Sequence, residues 1–168
     1  MATVLITVEY GKEDGAAVEV LDCILPLDPG ASVRRCGFGG VLFLETSLDP
    51  CRAAESIEVS LCRLVRSIIP VDELVRSDLS EIEKAVASIV EVGSKIAVKC
   101  RRRGSSLPSK GEVERLVGRR LTGLGCVVDL KNPDKIARIE VIGEVTAVSV
   151  RPPGRSLFKI GSRQVQNT

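Results

Sequence analysis

The alternation of apolar and polar residues divides residues 1–70 into six short elements. Segments rich in β-branched and aliphatic residues predict four strands, at 3–10, 32–36, 41–46 and 63–70. Apolar residues three or four positions apart predict a helix after Asp14 and a second helix that starts at Pro50, with Asp49 as its N-cap. The resulting order, β-α-β-β-α-β, is the ferredoxin-like split βαβ pattern.

The helical periodicity also predicts which residues of these two helices are buried. They are Ala17, Val18, Leu21 and Leu25 in the first helix, and Ala54, Ile57 and Leu61 in the second. The glycine-rich segment 37–40 (GFGG) lies between two apolar stretches and lacks the spacing of a phosphate-binding loop. It therefore predicts a hairpin turn.

A second pattern begins after residue 70. Asp78 is followed three residues later by Glu81, and Ser109 by Glu112, which is the spacing of helix capping boxes. Apolar residues at helical spacing follow both caps and are predicted to be buried: Leu79, Ile82, Val86 and Ile89 after the first cap, and Val113, Leu116, Val117 and Leu121 after the second. Strands are predicted at 95–103, 126–130, 138–142 and 145–150.

These patterns predict an α+β protein built from two small units. The predicted parts are an N-terminal ferredoxin-like (βαββαβ) domain at 1–70, an α/β domain at 71–155 and a C-terminal tail at 156–168.

The strand at 95–103 (KIAVKCRRR) has one basic face. Ile96, Val98 and Cys100 alternate with Lys99, Arg101 and Arg103, so the cations are expected to face solvent. The strand leads through Gly104 and a polar loop to the predicted start of a helix at Ser109. Unpaired N–H groups and the helix dipole favour an anion there, and arginine binds phosphate oxygens in a bidentate manner. Phosphate is the ligand that this segment predicts.

Charge is distributed unevenly along the chain. Residues 1–92 hold 8 basic and 16 acidic residues, whereas residues 93–168 hold 16 basic and 6 acidic residues, for a total of +2. Such asymmetry is typical of a protein in which one region contacts nucleic acid or a membrane. Only one Tyr and three Phe are present, which is too few for a base-stacking surface. We therefore expect RNA to be bound through its backbone and shape.

Other classes of function are disfavoured by what the sequence lacks. Without histidine, Ser-His and Cys-His nucleophiles are excluded, and the six cysteines form no CxxC pair, so we expect no metal and no cofactor. No apolar run is long enough for a membrane helix and the N-terminus does not resemble a signal peptide, so we expect a cytoplasmic protein with reduced thiols and no membrane partner. Asp72 and Glu73 form a pair of carboxylates that acid-base chemistry could use, but adjacent acids on a surface turn are far more often solvated than catalytic.

Three stretches resemble the THUMP domain over roughly residues 60–155. They are KIAVKCRRRGSSLPSKGEVERLVGRRL, GCVVDLKNPDKIARIEVIGE, whose VDLKNPD turn is the most specific piece, and the preceding junction RSIIPVDELV. The ferredoxin-like unit resembles the usual N-terminal companion of this domain. The resemblance implies tRNA binding at the acceptor stem and CCA end. THUMP domains accompany thiouridine synthases, methylases, pseudouridine synthases and deaminases of tRNA.

The basic pattern and this resemblance together define the candidate RNA-binding residues. They are Lys99, Arg101, Arg102, Arg103, Ser105, Ser109, Lys110, Arg115, Arg119, Lys131, Asn132, Lys135 and Arg138. No catalytic residue is assigned.

The sequence ends soon after its last predicted strand, so we expect no catalytic domain and no enzyme activity. It resembles the stand-alone THUMP proteins that act as tRNA adaptors for a separate acetyltransferase forming acetylcytidine, and its IIPVD and DLKNPD stretches carry that likeness. Three alternatives stay open. They are an adaptor for another tRNA modification enzyme, a small enzyme that uses Asp or Glu chemistry, and a protein-interaction module whose basic face meets an acidic partner.

Overall fold

The structure is a computed structural model that describes residues 1–104 and 106–160. Its strands are β1 (Ala2–Val8), β2 (Ser32–Arg35), β3 (Val41–Thr46), β4 (Val65–Val71), β5 (Glu73–Arg76), β6 (Lys95–Arg103), β7 (Val127–Val128), β8 (Lys135–Ile142), β9 (Val145–Arg151) and β10 (Phe158–Lys159). Its helices are α1 (Glu13–Ile24), α2 (Pro50–Val59), α3 (Leu79–Ile89), α4 (Lys110–Gly123) and α5 (Pro153–Ser156). These elements form two compact units.

The first unit comprises Met1–Val71 and the segment that begins at Leu157. Its sheet has the strand order β10-β4-β1-β3-β2, and all neighbouring strands are antiparallel. Helices α1 and α2 pack on one face of the sheet through a shared apolar core. The order β4-β1-β3-β2 is the ferredoxin-like arrangement, so the predicted fold class is confirmed.

Helix α1 buries a different face from the one predicted. Ala16, Val20 and Ile24 are buried, whereas Val18 and Leu25 are exposed. The helix begins at Glu13, so Asp14 lies inside the first turn and is not the N-cap. Each residue turns a helix by about 100°, so a buried face misassigned by one position points away from the core.

Helix α2 matches its prediction at its start and differs at its end. The Asp49 side chain accepts hydrogen bonds from the N–H groups of Cys51 and Arg52, as expected of an N-cap followed by proline. The helix ends at Val59, so Leu61 lies beyond it and is 83% exposed. The prediction that Leu61 is buried is therefore wrong.

The segment predicted as a tail contributes a strand to the first sheet. Strand β10 pairs antiparallel with β4, with Phe158 opposite Ile68. Phe158 is buried in the core of the first unit. A two-residue strand is too short to produce a periodic signal, so the sequence pattern did not reveal it.

The second unit comprises Asp72–Ser156 and has the sheet order β5-β9-β8-β6-β7. Strand β6 runs parallel to β8 and β7, while β8–β9 and β9–β5 are antiparallel. Helices α3 and α4 pack against one face of this sheet. Of the residues predicted from periodicity, the following are buried: Ile82, Val86, Val113, Val117 and Leu121. The others, Leu79, Ile89 and Leu116, are half-buried.

Strand β5 was not predicted. The contacts of Asp72, just before this strand, give that carboxylate a structural role. Asp72, just before β5, accepts a hydrogen bond from the N–H of Val150 at 2.7 Å and pairs with Arg151 at 2.6 Å. The Asp72 carboxylate therefore joins the start of β5 to the end of β9. In the described part of the chain, no helix has the length and hydropathy needed to span a bilayer.

Candidate nucleic-acid interface

Strand β6 orients its cations much as the alternation predicts. Lys99 and Arg101 are exposed on the sheet face opposite α3 and α4, and Cys100 is buried on the helix side. Neither Lys99 nor Arg101 forms a hydrogen bond or salt bridge with any residue that the structure describes. Both side chains are therefore available to a ligand.

Arg103 was predicted to face solvent, but its side chain is largely buried. Only 15% of it is exposed, and its Nη1 lies 3.1 Å from Oε2 of Glu140, whose side chain is 4% exposed. Burial raises the pKa of the Glu140 carboxyl, and the nearby Arg103 opposes that shift. The Arg103–Glu140 pair contributes to stability, because a buried carboxylate without a partner would raise the free energy of the folded state.

Arg102 stabilises the loop between β6 and α4. Its Nη1 donates to the carbonyl oxygens of Leu107 and Pro108, the latter at 2.9 Å. Its guanidinium therefore holds the chain just before the start of α4. Ser105, which was also assigned to the interface, lies outside the described residues.

The N-terminus of α4 already carries negative charge. The Ser109 hydroxyl accepts a hydrogen bond from the N–H of Glu112 at 3.3 Å, as a helix cap does. The Glu112 carboxylate pairs with Arg115 at 2.5 Å, and this contact lowers the pKa of Glu112. Lys110 and Arg119 are exposed on the same helix. An anion bound at this N-terminus would be repelled by the Glu112 carboxylate in the first turn.

The DLKNPD turn lies at the opposite end of β6. Asp129 accepts hydrogen bonds from the N–H groups of Lys131 and Asn132 at 3.0 and 2.9 Å, which shapes the turn. Strand β7, just before it, pairs with the first two residues of β6. Nine residues of strand at about 3.3 Å each place this turn roughly 25 Å from Arg103. The candidate residues do not form one cluster.

Strand β8 contributes two more of the candidates. Lys135 lies 3.6 Å from Glu91 in a partly exposed salt bridge. Arg138 lies beside Lys99 in the β6–β8 register, on the face away from the helices. Its Nε donates to the Ser156 hydroxyl at 3.1 Å. We call Lys99, Arg101, Arg103 and Arg138 the basic sheet face.

Two residues near Arg138 were missed by the sequence reasoning. Ser149 is opposite Arg138 in the β8–β9 register, and Ser156 belongs to α5. Both are buried, and the Ser149 hydroxyl has no hydrogen-bond partner among the residues that the structure describes. The alternation of VTAVSV places Ser149 away from the valines that face the helices, which was the available signal.

A cavity of about 690 Å³ lies at the sheet end where β6 finishes. Its lining residues are Arg76, Ser77, Asp78, Gly104, Ser106, Gly143, Glu144 and Val145. One cation faces two carboxylates there, so the cavity lacks the positive charge of a phosphate site. Among the described residues, no group of three or more potential metal ligands is found.

One comparison with known proteins gives a match within this unit. Residues 76–151 match the model of the THUMP domain. A comparison with curated proteins gives no match.

Solved structures show the same fold over nearly the whole chain. PH1313 from Pyrococcus horikoshii Ot3 has a TM-score of 0.73 at 19% identity, covering 96% of this chain and 56% of its own. TrmN from Thermus thermophilus has a TM-score of 0.64 at 24% identity, with 90% and 47% covered. A 4-thiouridine synthetase in complex with RNA and ATP has a TM-score of 0.60 at 14% identity, with 95% and 42% covered.

The chain thus spans about half the length of these structures. Their identities are low, so the likeness is one of fold. The domain match is specific to the second unit, the one that carries the basic sheet face. Residues 76–151 of this chain therefore resemble a THUMP domain.

Proposed function

We propose that the protein binds tRNA through its second unit and holds it for modification. The observation that carries this proposal is the basic sheet face, which gathers four cations within the stretch that matches the THUMP domain. Two of them, Lys99 and Arg101, have no hydrogen-bond or salt-bridge partner among the described residues. Clustered cations on one face are the electrostatic signature of a nucleic-acid contact. The structure of the 4-thiouridine synthetase with RNA gives a precedent for this fold beside RNA.

The bound RNA is recognised by its phosphates and shape. Residues 72–156 contain no Phe, Tyr or Trp, so the second unit has no ring on which a base could stack. Arginine and lysine on a sheet face instead match the phosphates of a folded RNA. The acceptor stem with its CCA end, which the family resemblance implies, is a substrate of this kind.

More specifically, we propose an adaptor role for the protein. In this role the protein presents tRNA to a separate acetyltransferase that forms acetylcytidine. The support is the likeness of IIPVD and DLKNPD to the stand-alone THUMP adaptors. The adaptor contributes by positioning, which in favourable intramolecular cases accounts for about 7–11 kcal/mol of a barrier.

Salt dependence of tRNA binding tests the electrostatic part. Affinity measured by fluorescence anisotropy should fall steeply as salt is raised about tenfold, from roughly 50 to 500 mM. Each phosphate contact should contribute about 0.7–0.9 to the slope of log affinity against log salt concentration. An affinity that does not change with salt would contradict phosphate binding.

Single-turnover modification tests the adaptor role. The acetyltransferase that co-purifies with the protein from its native source is assayed with saturating tRNA, with and without this chain. We expect acetylcytidine to form at a useful rate only when both proteins are present. Modification by this chain alone would identify an enzyme, and equal rates without the chain would exclude an adaptor.

A further inference from the structure

Arg138 occupies an unusual position for a surface cation. Burial lowers the pKa of its guanidinium, which means that the protein holds this positive charge with little solvent around it. Glu140 acts in the opposite direction, but its carboxylate is already bonded to Arg103. The positive charge of Arg138 is therefore incompletely balanced, and an incoming anion would stabilise it.

The geometry leaves the terminal nitrogens of Arg138 available. Its Nε is held by the Ser156 hydroxyl at 3.1 Å, and Ser156 is fully buried. In the part of the chain that the structure describes, the Nη atoms form no hydrogen bond or salt bridge. A guanidinium fixed through Nε presents its two NH₂ groups as a fork that fits two oxygens of a phosphate.

Ser149 supplies an independent observation beside this arginine. It is 1% exposed, and within residues 1–104 and 106–160 its hydroxyl has no hydrogen-bond partner. Buried polar groups are nearly always hydrogen-bonded, so such a hydroxyl calls for an explanation. Ser149 lies opposite Arg138 on the same sheet face, and Cβ atoms of such pairs are about 5 Å apart.

Lys99 completes the row from the other side. It is the β6 partner of Arg138 in the β6–β8 register and is exposed. The row Lys99–Arg138–Ser149 thus crosses three adjacent strands on one face. It offers an ammonium, a guanidinium fork and a hydroxyl donor, and it contains no carboxylate.

We propose that Lys99, Arg138 and Ser149 form a phosphate-binding site on the basic sheet face, with Ser156 as the positioning residue for Arg138. The ligand is a phosphate of the bound RNA, so the site deepens the proposed function and rests on it. The N-terminus of α4, by contrast, presents the Glu112 carboxylate and offers no second feature that points to a ligand.

The first experiment uses inorganic phosphate as the probe. Thermal unfolding of the full chain is followed in phosphate and in chloride at equal ionic strength. Phosphate should raise the Tm of the wild type, because a ligand that binds only the folded state stabilises it. Ser149→Ala and Arg138→Lys should lose that rise. Ser149→Ala should keep or raise the Tm in chloride, because it removes a buried hydroxyl for which the described part of the chain supplies no hydrogen-bond partner.

The second experiment measures affinity for a labelled acceptor-stem RNA. Lys99→Ala and Ser149→Ala should each weaken binding about tenfold, as expected for loss of one hydrogen bond to a charged group. Lys99→Ala should also reduce the salt slope by about 1. Lys84→Ala and Ser80→Ala are the matched controls, because both residues are exposed on α3, away from the basic sheet face. Both controls should bind RNA within about twofold of the wild type.

The two experiments separate failure of the site from failure of the function. RNA binding by the wild type with equal binding by Lys99→Ala, Ser149→Ala and Arg138→Lys would overturn the site while leaving the proposed function intact. A phosphate-dependent Tm shift that needs Ser149 and Arg138, combined with no RNA binding, would confirm an anion site and overturn the proposed function. Identical phosphate shifts in wild type and variants would overturn the site on their own.

Discussion

The two units of this chain use their charged residues in different ways. Residues 1–71 carry 6 basic and 10 acidic residues, and residues 72–156 carry 16 basic and 12 acidic ones. Carboxylates of both units accept hydrogen bonds from backbone N–H groups. In the second unit, cations also collect on one face of a sheet, and two of them, Lys99 and Arg101, have no hydrogen-bond or salt-bridge partner among the described residues.

The acids of the first unit show why a net charge does not by itself define a binding surface. Glu13 accepts a hydrogen bond from Gly40 at 2.7 Å, and Asp28 accepts bonds from the Thr46 hydroxyl and the Ser47 N–H, both at 2.7 Å. These two carboxylates close loops within the unit. A count of acidic residues cannot separate such internal roles from a surface that repels or attracts a partner.

The largest effect on stability is expected at Glu140, a carboxylate buried in the second unit. Glu140→Ala should destabilise the protein by about 3–5 kcal/mol, because it leaves Arg103 without its partner in a buried position. The free energy of unfolding from urea titrations measures the effect. Arg101→Ala is the control and should change stability by no more than about 0.5 kcal/mol, because its side chain is exposed. Equal effects of the two substitutions would contradict the different environments of these side chains.

A thiol pair distinguishes the first unit in a second way. The Sγ atoms of Cys23 and Cys62 are 3.5 Å apart, and burial raises the pKa of the Cys62 thiol to about 12. Oxidised glutathione should convert the pair to a disulfide and release two molecules of reduced glutathione. The gain in stability is expected to be about 2–4 kcal/mol.

Peptide mass spectrometry without reductant, together with unfolding measurements, tests this cross-link. Cys23→Ser should abolish both the linked peptide and the added stability. A linked peptide that leaves the free energy of unfolding unchanged would refute the expected gain.

Acid should weaken the first unit through Asp28. Hydrogen bonds from Ser47, Thr46 and Gly30 lower the pKa of this carboxyl below its ordinary value of 3.8. Its stabilising contribution is therefore fully present above pH 3.8 and is lost as the pH falls through the lower folded-state pKa.

Asp28→Asn should accordingly lower the Tm by several degrees at neutral pH and by much less in strong acid. Thermal unfolding across a pH series measures this difference. Asp22→Asn, a change on the exposed surface of α1, is the matched control and should affect Tm little at either pH. A constant Tm difference between Asp28→Asn and wild type at all pH values would disagree with this account.

The smallest effect is expected on the surface of α4. Arg115 pairs with Glu112 one turn away, and both side chains are well exposed. Arg115→Ala should lower the free energy of unfolding by no more than about 0.5 kcal/mol, since exposed ion pairs contribute little. A loss of several kcal/mol in urea titrations would show that α4 depends on this pair.

Local rules were sufficient for the elements with strong periodicity or clear caps. The ferredoxin-like order, the caps at Asp49, Asp78 and Ser109, and the buried face of α4 were all predicted correctly. The α1 face was not, because two adjacent apolar stripes on a helix differ by a rotation that only packing selects. Leu61 was not, because α2 ends at Val59, before that residue. Strand β10 was missed because two residues give no periodic signal, and β5 because its four residues (ELVR) do not alternate.

The sequence by itself determined which residues of β6 share a face, since a strand alternates with period two whatever surrounds it. It also determined that the second unit would be the basic one. Only the tertiary structure decided how those cations are used. Register in the sheet placed Ser149 opposite Arg138, and the packing of α5 brought Ser156 to the same side chain. Arg103 reaches Glu140, which lies opposite Arg101 on the neighbouring strand. These residues lie far apart in the chain, and pairing across strands depends on the whole sheet, which local sequence patterns do not encode.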